Sequence, residues 1–241
     1  MAASKGLAII TGASSGIGKA TAVKLSQDGY SLLLIARRVE LCNELNLPNC
    51  LAEKVDITNY DAFAAAVAKA EEKFGPTQVM VNNAGVMLLG QIAEQDPNEW
   101  ATMVSVNITG LLNGTKLVLA GMIKRESGTI VNVSSIAGRK TFPDHAVYCA
   151  TKFAVHGFTE AVREETSKHN VRFVCIAPGV CETELLGHTT NDKIVDNYKA
   201  WKGTFKVLES VDVANAISYA VNQPPHVCIR EIVIGPTKQP A

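Results

Sequence analysis

A glycine-rich turn near the start of the chain most constrains the fold. Residues 11–18, Thr-Gly-Ala-Ser-Ser-Gly-Ile-Gly, join an apolar run at 7–10 to a segment, 19–27, with helical character. Strand, glycine turn and helix in this order let backbone N–H groups approach a pyrophosphate at a helix N-terminus. The glycine spacing differs from the common Gly-x-Gly-x-x-Gly, and an ordinary turn is the alternative. The predicted dinucleotide-binding residues of this turn are Gly12, Ser14, Ser15, Gly16, Ile17 and Gly18.

Strands and helices alternate along the rest of the chain. We predict strands at 30–35, 78–81, 129–133, 171–177 and 228–234. A further strand, the third along the chain, is predicted to end at residue 57. We predict helices at 61–74, 98–124, 147–167 and 211–221, the last with Ser210 as its N-cap. This alternation predicts an α/β fold with a parallel sheet and helices on both faces. Residues 180–204 form a polar, irregular stretch, and loops of this length are usually functional, so we predict a substrate lid there.

A basic pair ends the second predicted strand. A nucleotide with a free ribose 2′-OH favours Asp or Glu about 20 residues after the first glycine. This chain instead has Ala36, followed by Arg37 and Arg38, whose guanidinium groups suit a 2′-phosphate. The pair therefore favours NADP(H), although a basic helix start without a ligand is the alternative. Asp56 and Ile57, at the end of the third predicted strand, are expected at the adenine.

A tyrosine and a lysine four residues apart carry the predicted chemistry. Tyr148 and Lys152 share one face of a helix, and an adjacent cation is expected to lower the pKa of Tyr148 toward neutral. Such a phenol suits general acid catalysis at a carbonyl, whereas a surface helix pair is the alternative. Ser134 and Ser135 follow a predicted strand. Their side chains point in opposite directions, so only one of them can line a ligand crevice at the strand end.

Motifs across nearly the whole length give the chain a resemblance to the short-chain dehydrogenase/reductase family. They occur in the family's order and at its usual intervals: Thr11-Gly12-x-x-x-Gly16-x-Gly18, Val55-Asp56, Asn82-Asn83-Ala84-Gly85, Asn107, Ser134-Ser135, Tyr148-x-x-x-Lys152 and Pro178-Gly179. The resemblance implies one Rossmann-like, doubly wound domain over residues 1–241, with a seven-stranded parallel sheet flanked by helices.

The resemblance also implies a division of labour within the site. Asn107 would hold a water and brace its helix, and Ser135 would hydrogen-bond the substrate oxygen. Tyr148 would pass the proton, while Lys152 would bind the nicotinamide ribose and tune Tyr148. The remaining implied cofactor contacts are Asn83, Ala84 and Gly85, which border the cofactor, and Pro178, Gly179 and Thr183, which flank the nicotinamide.

These expectations indicate an NADP(H)-dependent oxidoreductase that transfers hydride between the nicotinamide and a small carbonyl or alcohol substrate. Within the family, residues 83–90, 135–139 and 231–237 are similar to members of the clavulanic acid dehydrogenase type. The alternative is an NADPH-binding protein with little turnover, blue-fluorescent or sensing in function. The residues predicted to line the substrate pocket are Met87, Leu89, His145, Leu185, Leu186, His188, Tyr198 and Trp201. For Tyr198 and Trp201 the alternative is that they pack against the core or a second subunit.

The composition agrees with a cytoplasmic enzyme. The 241 residues are 47% hydrophobic, and 23 basic residues balance 23 acidic ones, which gives no sign of a nucleic-acid or membrane partner. No apolar run reaches the roughly 20 residues of a membrane span, and no leader precedes the first strand. The six cysteines and five histidines are not spaced as metal ligands. We therefore expect the cysteines to be reduced thiols and the histidines not to bind a metal. The resemblance implies a dimer or tetramer formed through helices 98–124 and 147–167.

Overall fold

A parallel sheet of seven strands forms the centre of the protein, as seen in a computed structural model that describes residues 4–240. The strands are β1 (Leu7–Thr11), β2 (Ser31–Ala36), β3 (Cys50–Lys54), β4 (Thr77–Asn82), β5 (Gly128–Val133), β6 (Val171–Pro178) and β7 (Glu231–Ile234). The prediction that no leader precedes the first strand depends partly on residues 1–3. These residues lie outside the described part of the chain.

Helices connect the strands. They are α1 (Gly16–Gln27), α2 (Val39–Asn43), α3 (Tyr60–Phe74), α4 (Pro97–Val104), α5 (Leu111–Lys124), α6 (Ala146–Thr166), α7 (Asp192–Lys202) and α8 (Ser210–Val221). Between α4 and α5 the chain keeps helical dihedrals but widens into one π-helical turn, Ser105–Gly110. The predicted α/β class, with a parallel sheet flanked by helices, is confirmed.

The strand order is β3-β2-β1-β4-β5-β6-β7, with every neighbouring pair parallel. The chain builds outward from β1 through β3 and then restarts at β4 on the other side of β1. The loops after β1 and β4 therefore diverge and leave a crevice at the carboxyl ends of these strands, where ligands bind in open α/β sheets.

Two hydrophobic cores cover the two faces of the sheet. Alternate residues of β2 separate to opposite faces: Leu34 packs in the core beneath α1 and α8, and Leu33 packs in the core beneath α3 and α5. Both side chains are fully buried. Burial of leucines of this kind contributes about 1.5–3 kcal/mol each before chain entropy is subtracted. Since β1 and β2 are buried at every residue, they form nearly continuous apolar runs.

Several predicted boundaries were wrong. The third strand ends at Lys54, so Asp56 and Ile57 lie in the loop after it. The last strand begins only at Glu231. The N-cap of α8 is Glu209, whose backbone N–H donates to Asp212 Oδ2, and Ser210 is the first helical residue. The segment 180–204 is not irregular, because it contains a 3₁₀ turn, Glu184–His188, and the helix α7.

One long helical stretch, Pro97–Lys124, is long and apolar enough to cross a membrane by length and composition alone. The prediction from apolar runs overlooked this stretch. A helix that covers a sheet meets the same criterion, and here α5 packs on β4 and β5. Length and composition are therefore weak evidence for a span.

Candidate active site

A cleft of about 730 Å³ opens at the carboxyl ends of the strands, on the crevice between β1 and β4. Most of the predicted site residues line it: Gly12, Ser14, Ser15, Gly16, Ile17, Arg37, Arg38, Asp56, Ile57, Asn83, Ala84, Gly85, Ser135, Tyr148, Lys152, Pro178, Gly179 and Thr183. Gly18 and Asn107 do not line the cleft and lie behind its wall.

The glycine turn forms a cradle in which side chains would not fit. Gly12 has a φ of +66°, and a Cβ there would lie 2.8 Å from the Cα of Ala84. A Cβ on Gly18 would overlap the carbonyl oxygen of Gly12, so Gly18 serves the close packing of α1 on this turn. Ser15, the N-cap of α1, makes no side-chain capping hydrogen bond. The first amides of α1 are thus left for a ligand at the cleft, and this fits a pyrophosphate.

The end of β1 is tied to the loop after β4. The hydroxyl of Thr11 accepts from the backbone N–H groups of Asn83 and Ala84, at 3.0 and 3.1 Å. The side-chain amide of Asn83 donates to the carbonyl of Thr11 at 2.9 Å. These bonds hold the Asn-Ala-Gly loop against the glycine turn, so both walls of the crevice are fixed relative to each other.

Asn107 joins three elements behind the cleft. Its Oδ1 accepts from the Val86 N–H at 2.8 Å, while its Nδ2 donates to the Val86 carbonyl at 2.9 Å and to Thr151 Oγ1 at 3.1 Å. The residue is 2% exposed and sits in the π-helical turn. Asn107 therefore fixes the chain after β4 against α6, beside the Tyr148–Lys152 pair.

Tyr148, Lys152 and Ser135 converge in the cleft. Tyr148 and Lys152 are 5% and 6% exposed, and Lys152 Nζ lies 5.7 Å from the centroid of the Tyr148 ring. Lys152 Nζ donates to the carbonyl of Val133 at 3.0 Å. The Ser135 hydroxyl donates to the carbonyl of Pro178 at 3.4 Å and acts to lower the pKa of Tyr148, whereas the Ser134 hydroxyl is buried and donates to the Lys152 carbonyl. Both serines border the cleft, and Ser135 is the one whose hydroxyl acts on Tyr148.

Burial sets the protonation of this pair, and the expected lowering of the Tyr148 pKa was wrong. Burial raises the pKa of Tyr148 above its ordinary value, and the nearby Ser135 hydroxyl offsets only part of that effect. Burial also lowers the pKa of Lys152 to about 8. With a pKa of about 8, Lys152 is still mostly a cation at pH 7, but burial of the phenol outweighs any stabilisation of the phenolate by that charge.

The basic pair lies at the opposite end of the cleft. Arg37 and Arg38 are exposed, and Arg38 Nη2 lies 2.6 Å from Glu184 Oε2, which belongs to the segment after β6. Hydrogen bonding to Arg38, against a smaller effect of burial, holds the pKa of Glu184 below its ordinary value. Asp56 Oδ1 accepts from the N–H of Thr58, which lowers the pKa of Asp56.

An aromatic wall closes the cleft over Tyr148. The ring of His145 lies 6.4 Å from that of Tyr148 and 6.1 Å from that of Tyr198, and Tyr198 meets Trp201 edge-on at 5.5 Å. Tyr198 and Trp201 both line the cleft, as do Met87, His145, Leu185, Leu186 and His188. Leu89 was predicted there but is buried in the core and does not line it. Burial raises the pKa of Tyr198 to about 12.

Some contributors to the site were missed from the sequence. Thr189 ties the segment after β6 to the loop after β4, since its hydroxyl accepts from the Leu89 N–H and donates to the Met87 carbonyl, both at 3.2 Å. Phe142 and Ile194 line the substrate end. Nothing in the sequence around Thr151 indicates that its hydroxyl binds Asn107. These contacts join residues far apart in the chain, which spacing rules do not reach.

Comparison with known proteins gives the family. The sequence profile of the short chain dehydrogenase family matches residues 6–194. The chain is 37% identical over 238 residues to an uncharacterized oxidoreductase of Staphylococcus saprophyticus, covering 96% of each. It is 38% identical over 240 residues to glycine betaine reductase ATRR of Emericella nidulans, covering 97% of this chain but only 19% of that longer protein.

Solved structures agree with this relationship. A serine dehydrogenase in its closed form, complexed with NADP⁺, superposes with a TM-score of 0.92 at 28% identity, covering 98% of this chain and 96% of that one. The NADP-bound protein ElxO superposes with a TM-score of 0.82 at 28% identity, covering 95% and 97%. The chain belongs to the short chain dehydrogenase family of oxidoreductases.

Proposed function

We propose that the protein is an NADP(H)-dependent reductase of small, uncharged carbonyl compounds, with Tyr148 as general acid. The observation that carries the proposal is the convergence of Tyr148, Ser135 and Lys152 in one cleft with the glycine cradle at its other end. A protein that only bound a nucleotide would have no need of a buried phenol beside a serine hydroxyl in this position.

Different residues of the cleft would hold different parts of the cofactor. The glycine turn and the first amides of α1 suit the pyrophosphate. Arg37 and Arg38 suit a 2′-phosphate, because a guanidinium pairs with phosphate oxygens through two donors. Asp56 would accept a hydrogen bond from the adenine amine. Lys152 and the stretch from Pro178 to Thr183 suit the nicotinamide ribose and ring. The bound nicotinamide supplies the hydride.

The protein's own contribution is to polarise the carbonyl and to move a proton. Ser135 and Tyr148 present two hydroxyl groups to one point in the cleft, where an alkoxide would develop. Tyr148 stays protonated near neutral pH because burial raises its pKa, so it enters the reaction as a donor. Lys152 returns the proton. The Asn107 amide is held by Val86 and Thr151, and its oxygen keeps one lone pair for a relay water.

The walls near Tyr148 define the substrate class. They are apolar or aromatic: Val86, Met87, Phe142, Leu185, Leu186, Ile194 and Tyr198. Lys202, the cation of α7 that lines the cleft, is already paired with Glu182 at 2.7 Å. A substrate carboxylate buried against these walls would have to compete with the nicotinamide ribose for Lys152, at a substantial cost. Aldehydes and ketones with apolar substituents fit better than hydroxy acids.

The test is NADPH oxidation against matched carbonyl pairs, with the cofactor's fluorescence recorded in parallel. Aryl and alkyl aldehydes or ketones should turn over with higher kcat/KM than the keto acids that carry a carboxylate on the same skeleton. Serine oxidation with NADP⁺ provides a charged comparison. Equal or better rates with the acids would overturn the substrate class. Tight, brightly fluorescent NADPH binding without turnover on any substrate would favour the alternative of a cofactor-holding protein.

Assembly and location belong to the same proposal. Val104, Leu112 and Phe153 are 39–44% exposed on α4, α5 and α6, and this suits a homodimer or homotetramer formed through these helices. All six cysteines are free, which agrees with the reducing cytoplasm. Light scattering should give a mass two or four times that of one chain, and Phe153→Glu should lower it. The likeness to members of the clavulanic acid dehydrogenase type adds no information on the substrate.

A further inference from the structure

Outside the cleft, three side chains that can ligate a metal meet between α6 and the edge of the sheet. His156 comes from α6, Cys175 from β6 and Glu231 from β7. Their ligand atoms all lie within 4.8 Å of one another. None of the three lines the cleft. We propose that this group, His156, Cys175 and Glu231, is a binding site for a borderline-soft divalent cation, with Zn²⁺ as its natural occupant.

The fold brings these side chains together on one face of the sheet. Cys175 and Glu231 are register partners in parallel strands, so their side chains lie side by side on one face of the sheet. Phe173, two residues before Cys175, packs in the core on the α6 side, which places Cys175 on that same face. His156 reaches down from α6 onto the pair.

The hydrogen bonds of His156 leave the correct nitrogen for a metal. Its Nδ1 lies 3.1 Å from the carbonyl of Lys152 and 3.0 Å from Ser134 Oγ, while Nε2 lies 3.1 Å from Glu231 Oε1. A ligating histidine usually donates its other ring N–H to a backbone carbonyl or a carboxylate. A hydrogen bond from Nδ1–H to the Lys152 carbonyl meets that rule. The cation would then lie between Nε2 and Glu231, in place of the proton.

The carboxylate is supported in the same way. Arg139 Nη1 lies 2.5 Å from Glu231 Oε2, the oxygen that His156 does not contact. Glu231 therefore has one oxygen anchored by Arg139, while the other oxygen faces His156 Nε2 and is placed to ligate.

The donor set selects the metal. Thiolate, imidazole and carboxylate together are ligands of Zn²⁺, whereas Mg²⁺ and Ca²⁺ require oxygen ligands. Cys175 is 3% exposed, and a cysteine binds a metal as its thiolate. Binding therefore expels the thiol proton, and affinity should rise with pH. Three protein ligands leave one position of a tetrahedron for water.

Cobalt spectroscopy tests the site directly. Titration of the full-length, tag-free protein with Co²⁺ should give the visible d–d bands of tetrahedral Co²⁺ and a near-ultraviolet thiolate-to-cobalt band, both bleached by equimolar Zn²⁺. Cys175→Ser should remove the thiolate band. The matched control Cys228→Ser, whose thiol faces the Phe173 carbonyl instead, should retain it. A wild-type protein without the band, or a band that survives Cys175→Ser, would overturn the proposal.

A second variant guards against misfolding of the buried cysteine substitution. Glu231 lies on the exposed edge strand, so Glu231→Gln should fold, and it should weaken Co²⁺ binding at least about tenfold. Zn²⁺ should raise the melting temperature of the wild type and of Cys228→Ser, but not of Glu231→Gln. Equal Zn²⁺ stabilisation of all three proteins would show that the metal binds elsewhere and would contradict the site.

Discussion

Arg38 and Glu184 form an ion pair 2.6 Å long between the end of β2 and the segment after β6. Both side chains are about half exposed, so the pair itself adds little stability. Its importance lies in its place, because Arg38 is also a proposed partner of the 2′-phosphate. Glu184 and that phosphate would then compete for one guanidinium group.

The first prediction concerns cofactor preference. Arg37→Ala combined with Arg38→Ala should weaken NADPH binding at least about tenfold for each arginine, since a hydrogen bond to a charged group is worth about 1.5–3 kcal/mol. NADH, which lacks the 2′-phosphate, should bind nearly unchanged. Fluorescence titration with both cofactors measures the ratio. An unchanged ratio would show that the basic pair does not contact the phosphate.

The second prediction tests the competition at Arg38. Glu184→Gln removes the competing carboxylate and should lower the NADPH dissociation constant about two- to fivefold, a range set by the small worth of an exposed ion pair. NADH serves as the internal control and should bind equally to both proteins. Tighter binding of both cofactors would point instead to a general loosening of the segment after β6.

The third prediction concerns the general acid. Tyr148→Phe removes only the phenolic hydroxyl and should lower turnover by about 10²–10⁴-fold, the usual contribution of a positioned acid. NADPH affinity should change little, because the ring remains. Single-turnover kinetics and a fluorescence titration separate the two effects. Combined loss of binding and turnover would mean that Tyr148 supports the cofactor and not the proton transfer.

The fourth prediction follows from the Lys152 pKa of about 8. Below that pH Lys152 is a cation, and above it the side chain is neutral. If the cation is required, kcat/KM for NADPH, which reports the free enzyme, should be level below about pH 8 and fall as pH rises through it. Lys152→Arg stays charged throughout and should lack this decline. A decline beginning only near pH 10 would refute the lowered pKa.

The sequence was sufficient where function depends on local spacing. The glycine turn, the arginines after β2 and the Tyr148–Lys152 pair are each set within a few residues, and the structure places them in one cleft. The α7 helix also had a local signal that was missed: Asn191 is its N-cap, and Ile194, Tyr198 and Trp201 follow at helical spacing. Its many charged residues disguised it as a loop.

The remaining features depend on contacts between distant parts of the chain. The protonation of Tyr148 is set by burial, which spacing from Lys152 does not reveal. Arg38–Glu184 and the group His156, Cys175 and Glu231 join residues on separate elements. Histidine and cysteine spacing alone indicated no metal ligands, because the ligands proposed here come from a helix and two strands.

The widened turn Ser105–Gly110 sets the rotational phase of the whole helical stretch from α4 to α5. Each residue of an α-helix advances the side-chain direction by about 100°, and a π-helical turn contains one residue more than an α-helical turn. Deleting one residue here would restore regular winding but turn α5 about its axis. Either Asn107 would lose its hydrogen bonds with Val86 and Thr151, or the apolar face of α5 would turn away from β4. The extra residue is what lets one helix meet both demands.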